Sequence, residues 1–295
     1  MKTLFTFALI GLMICGVASV GAGASTSYCH TYTLPDIKHL ELNAFAAIDI
    51  RQGKVNEIKV TAEDSFMEHL ELQVKDSTLV IRDKRPQSYW LQQTQFYKHL
   101  KNKKNAPSNI HFLITLKNPE NIMLTGYLAT NIKRIKSDAL SLTFTGSGSL
   151  NLAKVKQHTL NILANGHIKT SMKHVHADQG SISINGNGKV DVAHVDFEQL
   201  AFLLNGLHHC TLEGKAHNLH INMQGAGTCS GQDFIVNNAH VGLQGSSELI
   251  LDVDTYLQAT TMDDSRVRYY GRPKVINNGA DVTRLAASTP THMFF

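Results

Sequence analysis

Cys210 and Cys229 each stand four residues after a glycine, Gly206 and Gly225, in a place that Leu150, Val190 and Leu249 hold after other glycines of the same kind. If the segments carrying those glycines stack as neighbouring strands, the two cysteine Cα atoms lie about 4.8 Å apart, within disulfide reach. The competing expectation is a pair of buried, inert thiols filling core positions. His174 and His194 share the eighth place after a glycine, and His220 and His240 share the fifth place before one, so both pairs are set to stack. Two imidazoles with no third ligand fixed by the spacing fall short of the three or four protein ligands that zinc takes, so no metal is expected. Asp263 and Asp264, beside Arg266, Arg268 and Arg272, supply the residue type that a glycan-cleaving enzyme uses as acid and base. Adjacent residues of a strand point to opposite faces, so a charged cap is expected there and no catalytic or cofactor-binding residue is assigned. The basic run Lys98 to Lys104, with Phe96 and Tyr97, suits acidic glycans or anionic lipid; an ordinary solvated loop is the expectation.

The elements that would position these groups follow from a repeat. A glycine recurs after a polar residue and a short alternating strand: Ile122-Met-Leu-Thr-Gly126, Leu142-Thr-Phe-Thr-Gly146, Ile162-Leu-Ala-Asn-Gly166, Ile182-Ser-Ile-Asn-Gly186, Phe202-Leu-Leu-Asn-Gly206, Ile221-Asn-Met-Gln-Gly225 and Val241-Gly-Leu-Gln-Gly245. The period is about 20 residues, which is the mark of a solenoid. Apolar residues four and two before the glycine, and four and six after it in several copies, give strand alternation on both sides of a turn. Such short strands in a flat sheet would leave their apolar faces wet, whereas stacked coils share one interior. Parallel strands joined by crossovers take the right hand. The residue before each glycine, from Thr125 and Thr145 through Asn165, Asn185 and Asn205 to Gln224 and Gln244, suits an amide ladder at a corner. At Asp263-Asp264-Ser265 the glycine turn is replaced, and an atypical end of this kind is expected to cap the stack.

The 295 residues carry 28 Lys and Arg against 24 Asp and Glu, a net charge of +4 spread along the chain. The net charge is not blocked into an arm, so nucleic acid is not an expected partner. Residues 1–24 read as a signal peptide, with Lys2, an apolar run from Leu4 to Val20 and cleavage after Ala24 in the small-residue sequence Ala22-Gly23-Ala24. Ile14 stands where a lipoprotein signal requires a small residue, so Cys15 is not expected to carry lipid. Later segments fall short of the roughly 18 to 20 apolar residues of a membrane-spanning helix, so no transmembrane segment is expected in the mature chain. Cys29, Cys210 and Cys229 then remain, enough for one disulfide and one free thiol in an oxidising compartment.

Ahead of the repeat, Phe45 to Ile50, Glu57 to Ala62, Leu70 to Val74, Thr78 to Arg82 and Ile110 to Leu116 read as strands that start and cap the same sheet system. Between them the polar stretch Lys84 to Asn109, with the only tryptophan, Trp90, reads as a surface excursion. At these residues the chain resembles the bacterial GIN-domain family of auto-transporter adhesin heads. Phe45 to Ile50 is similar to the family's first strand, and Lys59-Val-Thr-Ala62 and Leu79-Val-Ile81 to the next two. Gly146-Ser-Gly148 and Gly186-Asn-Gly188 resemble its glycine turns, and Tyr269-Tyr-Gly271-Arg-Pro273-Lys-Val275 its closing pattern. The resemblance implies a β-helical, extracytoplasmic domain and supplies no catalytic residues.

The expected architecture is therefore all-β: a right-handed parallel β-helix of about 20 residues per coil with an N-terminal β cap. A signal peptide (1–24) and an N-terminal segment (25–44) precede a GIN-like domain (45–285) that carries the 84–109 excursion, and a tail (286–295) follows. The expected function is a non-catalytic binding, adhesin-like or cell-envelope structural module without cofactors. It would act in the periplasm, at the cell surface or outside the cell, on a glycan or protein of the envelope or host. The alternative is a carbohydrate-active enzyme, a glycan lyase or hydrolase, on the same fold.

Overall fold

The computed structural model describes residues 12–14, 27–86, 88, 110–279 and 281–286. The expected leader with its expected cleavage point after Ala24, apart from residues 12–14, lies outside these, as do most of the expected 84–109 excursion, with Trp90 and Lys98 to Lys104, and the residues beyond Ala286. Described residues are overwhelmingly extended, and the chain is all-β. It divides into two compact units, residues 1–156 and 157–295.

In the first unit the strands are β1 (Leu12–Ile14), β2 (Ser27–Thr33), β3 (His39–Gln52) and β4 (Glu57–Glu63); the single turn of helix α1 (Asp64–Met67) follows. Then come β5 (Leu70–Lys75), β6 (Thr78–Asp83), β7 (Ile110–Leu116), β8 (Asn121–Ile132), β9 (Ile135–Lys136) and β10 (Ala139–Leu152). β3 begins at His39, ahead of the expected Phe45, and is the hub. On one side it runs parallel to β8, from His39 opposite Asn121 to Ile50 opposite Ile132. On the other, its first half pairs in parallel with β6 and its second half with β7. β5 adds antiparallel to β6, while β4, β2 and β1 follow antiparallel beyond β7. The expected strands are all present, and β3 joins them to the repeat through its pairing with β8.

β10 lies parallel on β8 with Leu142 opposite Ile122, Phe144 opposite Leu124 and Gly146 opposite Gly126. Residues 20 apart are therefore neighbours, and the alternating Ile122, Leu124, Leu142 and Phe144 all turn inward and are fully or almost fully buried. Some core positions depart from the apolar pattern. Thr130, in line with Leu150, is buried with its hydroxyl unpartnered, and in the second unit Thr170 repeats this. A threonine methyl fills the site, at the cost of a desolvated hydroxyl.

The second unit holds most of β11 (Val155–Lys173), then β12 (Val175–Thr261), β13 (Arg266–Tyr270), β14 (Lys274–Asn277) and β15 (Val282–Arg284). β12 runs unbroken over 87 residues, with glycines at positive φ where it turns. A Cβ added at Gly186 would lie 2.2 Å from the carbonyl oxygen of Gly166, and one at Gly206 1.9 Å from that of Gly186. The glycines of successive copies therefore sit directly on one another. At φ of 121° for Gly186 and 120° for Gly206 they occupy a region that side chains penalise. Just before them, Asn185 donates to Asn165 at 2.8 Å and Asn205 to Asn185 at 2.7 Å, the expected amide ladder. A second ladder, Asn238 to Asn218 at 3.0 Å, runs elsewhere on the surface.

At the C-terminal end Asp263 takes the glycine's place with φ 60°, and its carboxylate accepts from the Gly245 N–H at 3.1 Å. The segment that follows does not simply close the stack. β13 continues the parallel pairing with Arg266 opposite Glu248, β14 pairs with β12 from Tyr256 opposite Lys274, and β15 adds to β13.

Candidate functional site

Alternation along the strands of the second unit sends Leu160, Ile162, Leu200, Phe202, Leu219 and Ile221 inward. Thr159 and Asn161 therefore face outward, as do Gln179, Ser181, Gln199, Ala201, Asn218, His220 and His240 in the copies that follow. These outward residues line an open depression of about 330 Å³. It exists because the copies are unequal. Ala201 and Ser181 are small where Asn161, His220 and His240 are large. Gly180 stands where its neighbours carry Leu160 and Leu200, and a Cβ there would meet the Phe197 ring at 2.5 Å. Leu200 and Leu219 reach the floor from below.

None of the described residues lining the depression is Asp, Glu, Lys or Arg. Its walls are amides, hydroxyls and imidazoles, groups that donate and accept. His220 Nε2 lies 2.9 Å from the Asn222 amide nitrogen. An NH₂ group only donates, so this nitrogen of His220 is the acceptor and the ring's proton sits on Nδ1. Beyond it the rings continue in a line, His220 to His240 with centroids 6.4 Å apart and His240 to Tyr256 at 5.7 Å.

The neighbouring surface is ionic. His158 meets Asp178 at 2.6 Å, His176 and Lys215 approach Asp196 at 3.7 and 3.3 Å, and His194 meets Glu213 at 2.8 Å. Each histidine stands one copy before its carboxylate. These pairs are exposed, so each contributes well under about 1 kcal/mol. The expected stack of His174 on His194 is present, with ring centroids 5.1 Å apart and both residues at positive φ, 52° and 54°. In the first unit Asp49 accepts from His111 at 2.9 Å and Lys133 at 3.1 Å. Burial pushes its carboxyl up, but the two donors outweigh burial and hold it below the usual range.

Cys210 and Cys229 lie next to one another, buried and as free thiols. Burial, reinforced by Cys229 alongside, raises the Cys210 thiol well above its ordinary range. Asp263 and Asp264 are exposed, and the hydrogen bond of Asp263 to Gly245 is a turn contact. A different carboxyl stands out, one the sequence did not mark. Asp252 is held above the usual carboxylate range by burial and then by nearby Asp254. His, Cys, Asp and Glu side chains form no group of three able to hold a metal among the described residues. Nor is any helix among them long and apolar enough to cross a membrane.

Comparison with known proteins agrees with this architecture. Three crystal structures are similar in fold. One, a "putative adhesin" from Parabacteroides merdae, is 13% identical with a TM-score of 0.56, over 88% of this chain and 96% of that one. A second "putative adhesin", from Parabacteroides distasonis, is 15% identical with a TM-score of 0.56, over 89% and 98%. The third, a "putative lipid binding protein" also from Parabacteroides distasonis, is 16% identical with a TM-score of 0.54, over 88% and 97%. No curated protein matches the sequence. The profile of one family matches twice, over residues 37–173 and 158–273, and together these cover most of the chain. The chain belongs to the family described as "Putative auto-transporter adhesin, head GIN domain".

Proposed function

We propose that the chain is an exported, non-catalytic module that binds or adheres at the cell envelope. In this reading its copies wind as a right-handed parallel β-helix, and the outward side chains of residues 157–295 form its working surface. The observation that carries it is the depression between Thr159 and His240, where side chains from successive copies converge on one open, uncharged surface. Membership of a family described as adhesin heads supports it, and so does similarity in fold to proteins described as adhesins and as lipid binding. A stacked scaffold suits such work because it holds side chains at fixed spacing over a long face.

The test is to express the full chain in its native cells, fractionate them, and add labelled protein beginning at Ser25 to isolated envelopes and to host cells. The protein is expected outside the cytosol, with saturable binding to at least one of these surfaces. Recovery from the cytosol, or uptake that rises linearly without saturation on both surfaces, contradicts the proposal.

Asp252 favours one second reading, a carbohydrate-active enzyme that cleaves glycans by hydrolysis or elimination, because a carboxyl pushed up by burial and by nearby Asp254 suits a general acid. New reducing ends in a polysaccharide turnover screen, lost in Asp252→Asn, would replace the binding reading with this one.

A further inference from the structure

Resting on the binding reading, we infer that the depression at Ser181 and Ala201 is a subsite for an uncharged oligosaccharide lying across successive copies. The chemistry of the lining selects this ligand class. Gln179, Gln199 and Asn218 present amides whose paired donor and acceptor match the paired hydroxyls of a sugar ring. A charged ligand would need a counter-charge, and no Lys, Arg, Asp or Glu lines the depression, although exposed carboxylates stand on the surface nearby at Asp178, Asp196 and Glu213.

The small side chain of Ala201 lies among the amide walls. A pyranose has apolar C–H faces and a polar rim, so it can set a face against Ala201 while its hydroxyls meet the amides. Ligand sites commonly combine such an apolar surface with a few placed polar groups. From one end of the depression the rings of His220, His240 and Tyr256 continue in line, with centroids 6.4 and 5.7 Å apart, and offer further ring faces to a chain longer than one sugar. The Asn222 amide fixes the His220 ring with Nδ1–H as its remaining donor, which orients that wall before any ligand arrives.

The site is tested with protein beginning at Ser25 on an array of neutral hexasaccharides of glucose, mannose, galactose and N-acetylglucosamine. Heparin, polygalacturonate and phosphatidylglycerol vesicles are run beside them, and any hit is titrated by calorimetry. Ala201→Trp fills the depression from its open side, and the double substitution Gln179→Ala with Gln199→Ala removes two amides from an exposed surface without adding bulk. The expected result is binding to at least one neutral hexasaccharide, weakened tenfold or more by each variant, with melting temperatures unchanged. If Ala201→Trp does not fold, the double alanine variant decides. A blank neutral array, binding only to the anionic polymers or vesicles, or a neutral hit that both variants retain overturns the assignment. Any of these results alongside saturable envelope binding leaves the wider binding reading standing, whereas loss of envelope binding as well removes both.

Discussion

Gly206→Ala is expected to destabilise the second unit by about 3 kcal/mol or more, through backbone strain at positive φ together with a main-chain clash. At φ 120° a side chain is strained in itself, and the new Cβ would stand 1.9 Å from the Gly186 carbonyl oxygen, 2.9 Å from its carbon and 3.3 Å from its Cα. None of these is the yielding end of a side chain, so relief requires two neighbouring copies to separate and the Asn185 to Asn205 hydrogen bond to lengthen with them. Urea unfolding read by circular dichroism checks this. A midpoint within error of the parent protein's would mean that these glycines are not stacked. Gly53→Ala is an informative contrast, since its added Cβ would meet chiefly the Thr115 methyl and its φ is outside the left-handed region.

Asp83→Ala is expected to cost about 3–5 kcal/mol, the range for breaking a buried ion pair from one side. Asp83 has no exposed side-chain surface and Arg85 only 6%. The carboxylate accepts from Arg85 Nε at 2.8 Å, from its second guanidinium nitrogen at 2.5 Å, and from the Arg85 backbone N–H at 3.0 Å. The guanidinium lies 4.6 Å above the Phe66 ring, so removing the carboxylate strands a cation against apolar surface. Replacing both residues, Asp83→Leu with Arg85→Met, removes the charges together and is expected to cost far less than the single change. Chemical denaturation of the single and double variants measures the difference. If the single variant loses under about 1 kcal/mol, the pair behaves as a surface pair and its burial is wrong.

What could be read from the sequence was whatever the repeat makes alike. Glycine spacing placed Gly126 on Gly146 and Gly186 on Gly206, and the same arithmetic brought His174 to His194 and Cys210 to Cys229. The Asn165, Asn185 and Asn205 ladder followed because an amide satisfies the same need in every copy. β3 was only half legible, since Ala44 holds the glycine position there. The segment between β3 and β8 also breaks the spacing, leaving His39 opposite Asn121 with no period to reveal it. Thr130 and Thr170 were hidden for another reason: their methyl groups pack like valine, and pattern reading takes a threonine to be surface.

The depression was invisible because it arises where copies differ. Small side chains at Ser181 and Ala201 carry no motif, and their effect depends on the larger Asn161, His220 and His240 in the neighbouring copies. Asp83, the last residue of β6, and Arg85 just beyond it were similarly unremarkable. In the structure the Phe66 ring lies against the Arg85 guanidinium, β5 pairs alongside with Leu70 opposite Asp83, and the ion pair is buried.

The account depends on residues one period apart being side by side, and a cysteine pair at exposed positions tests this most directly. Ile168 and Gly188 sit against one another, which puts the next outward residues, Lys169 and Lys189, on neighbouring strands. Parallel neighbours stand about 4.8 Å apart, within reach of a disulfide. Under mild oxidation Lys169→Cys with Lys189→Cys is predicted to yield the 169–189 cross-linked peptide by mass spectrometry, while Lys169→Cys with Gln179→Cys, half a period apart, yields none. Cross-linking of 169 to 179 without 169 to 189 would contradict the stacking on which the depression and its ligand depend.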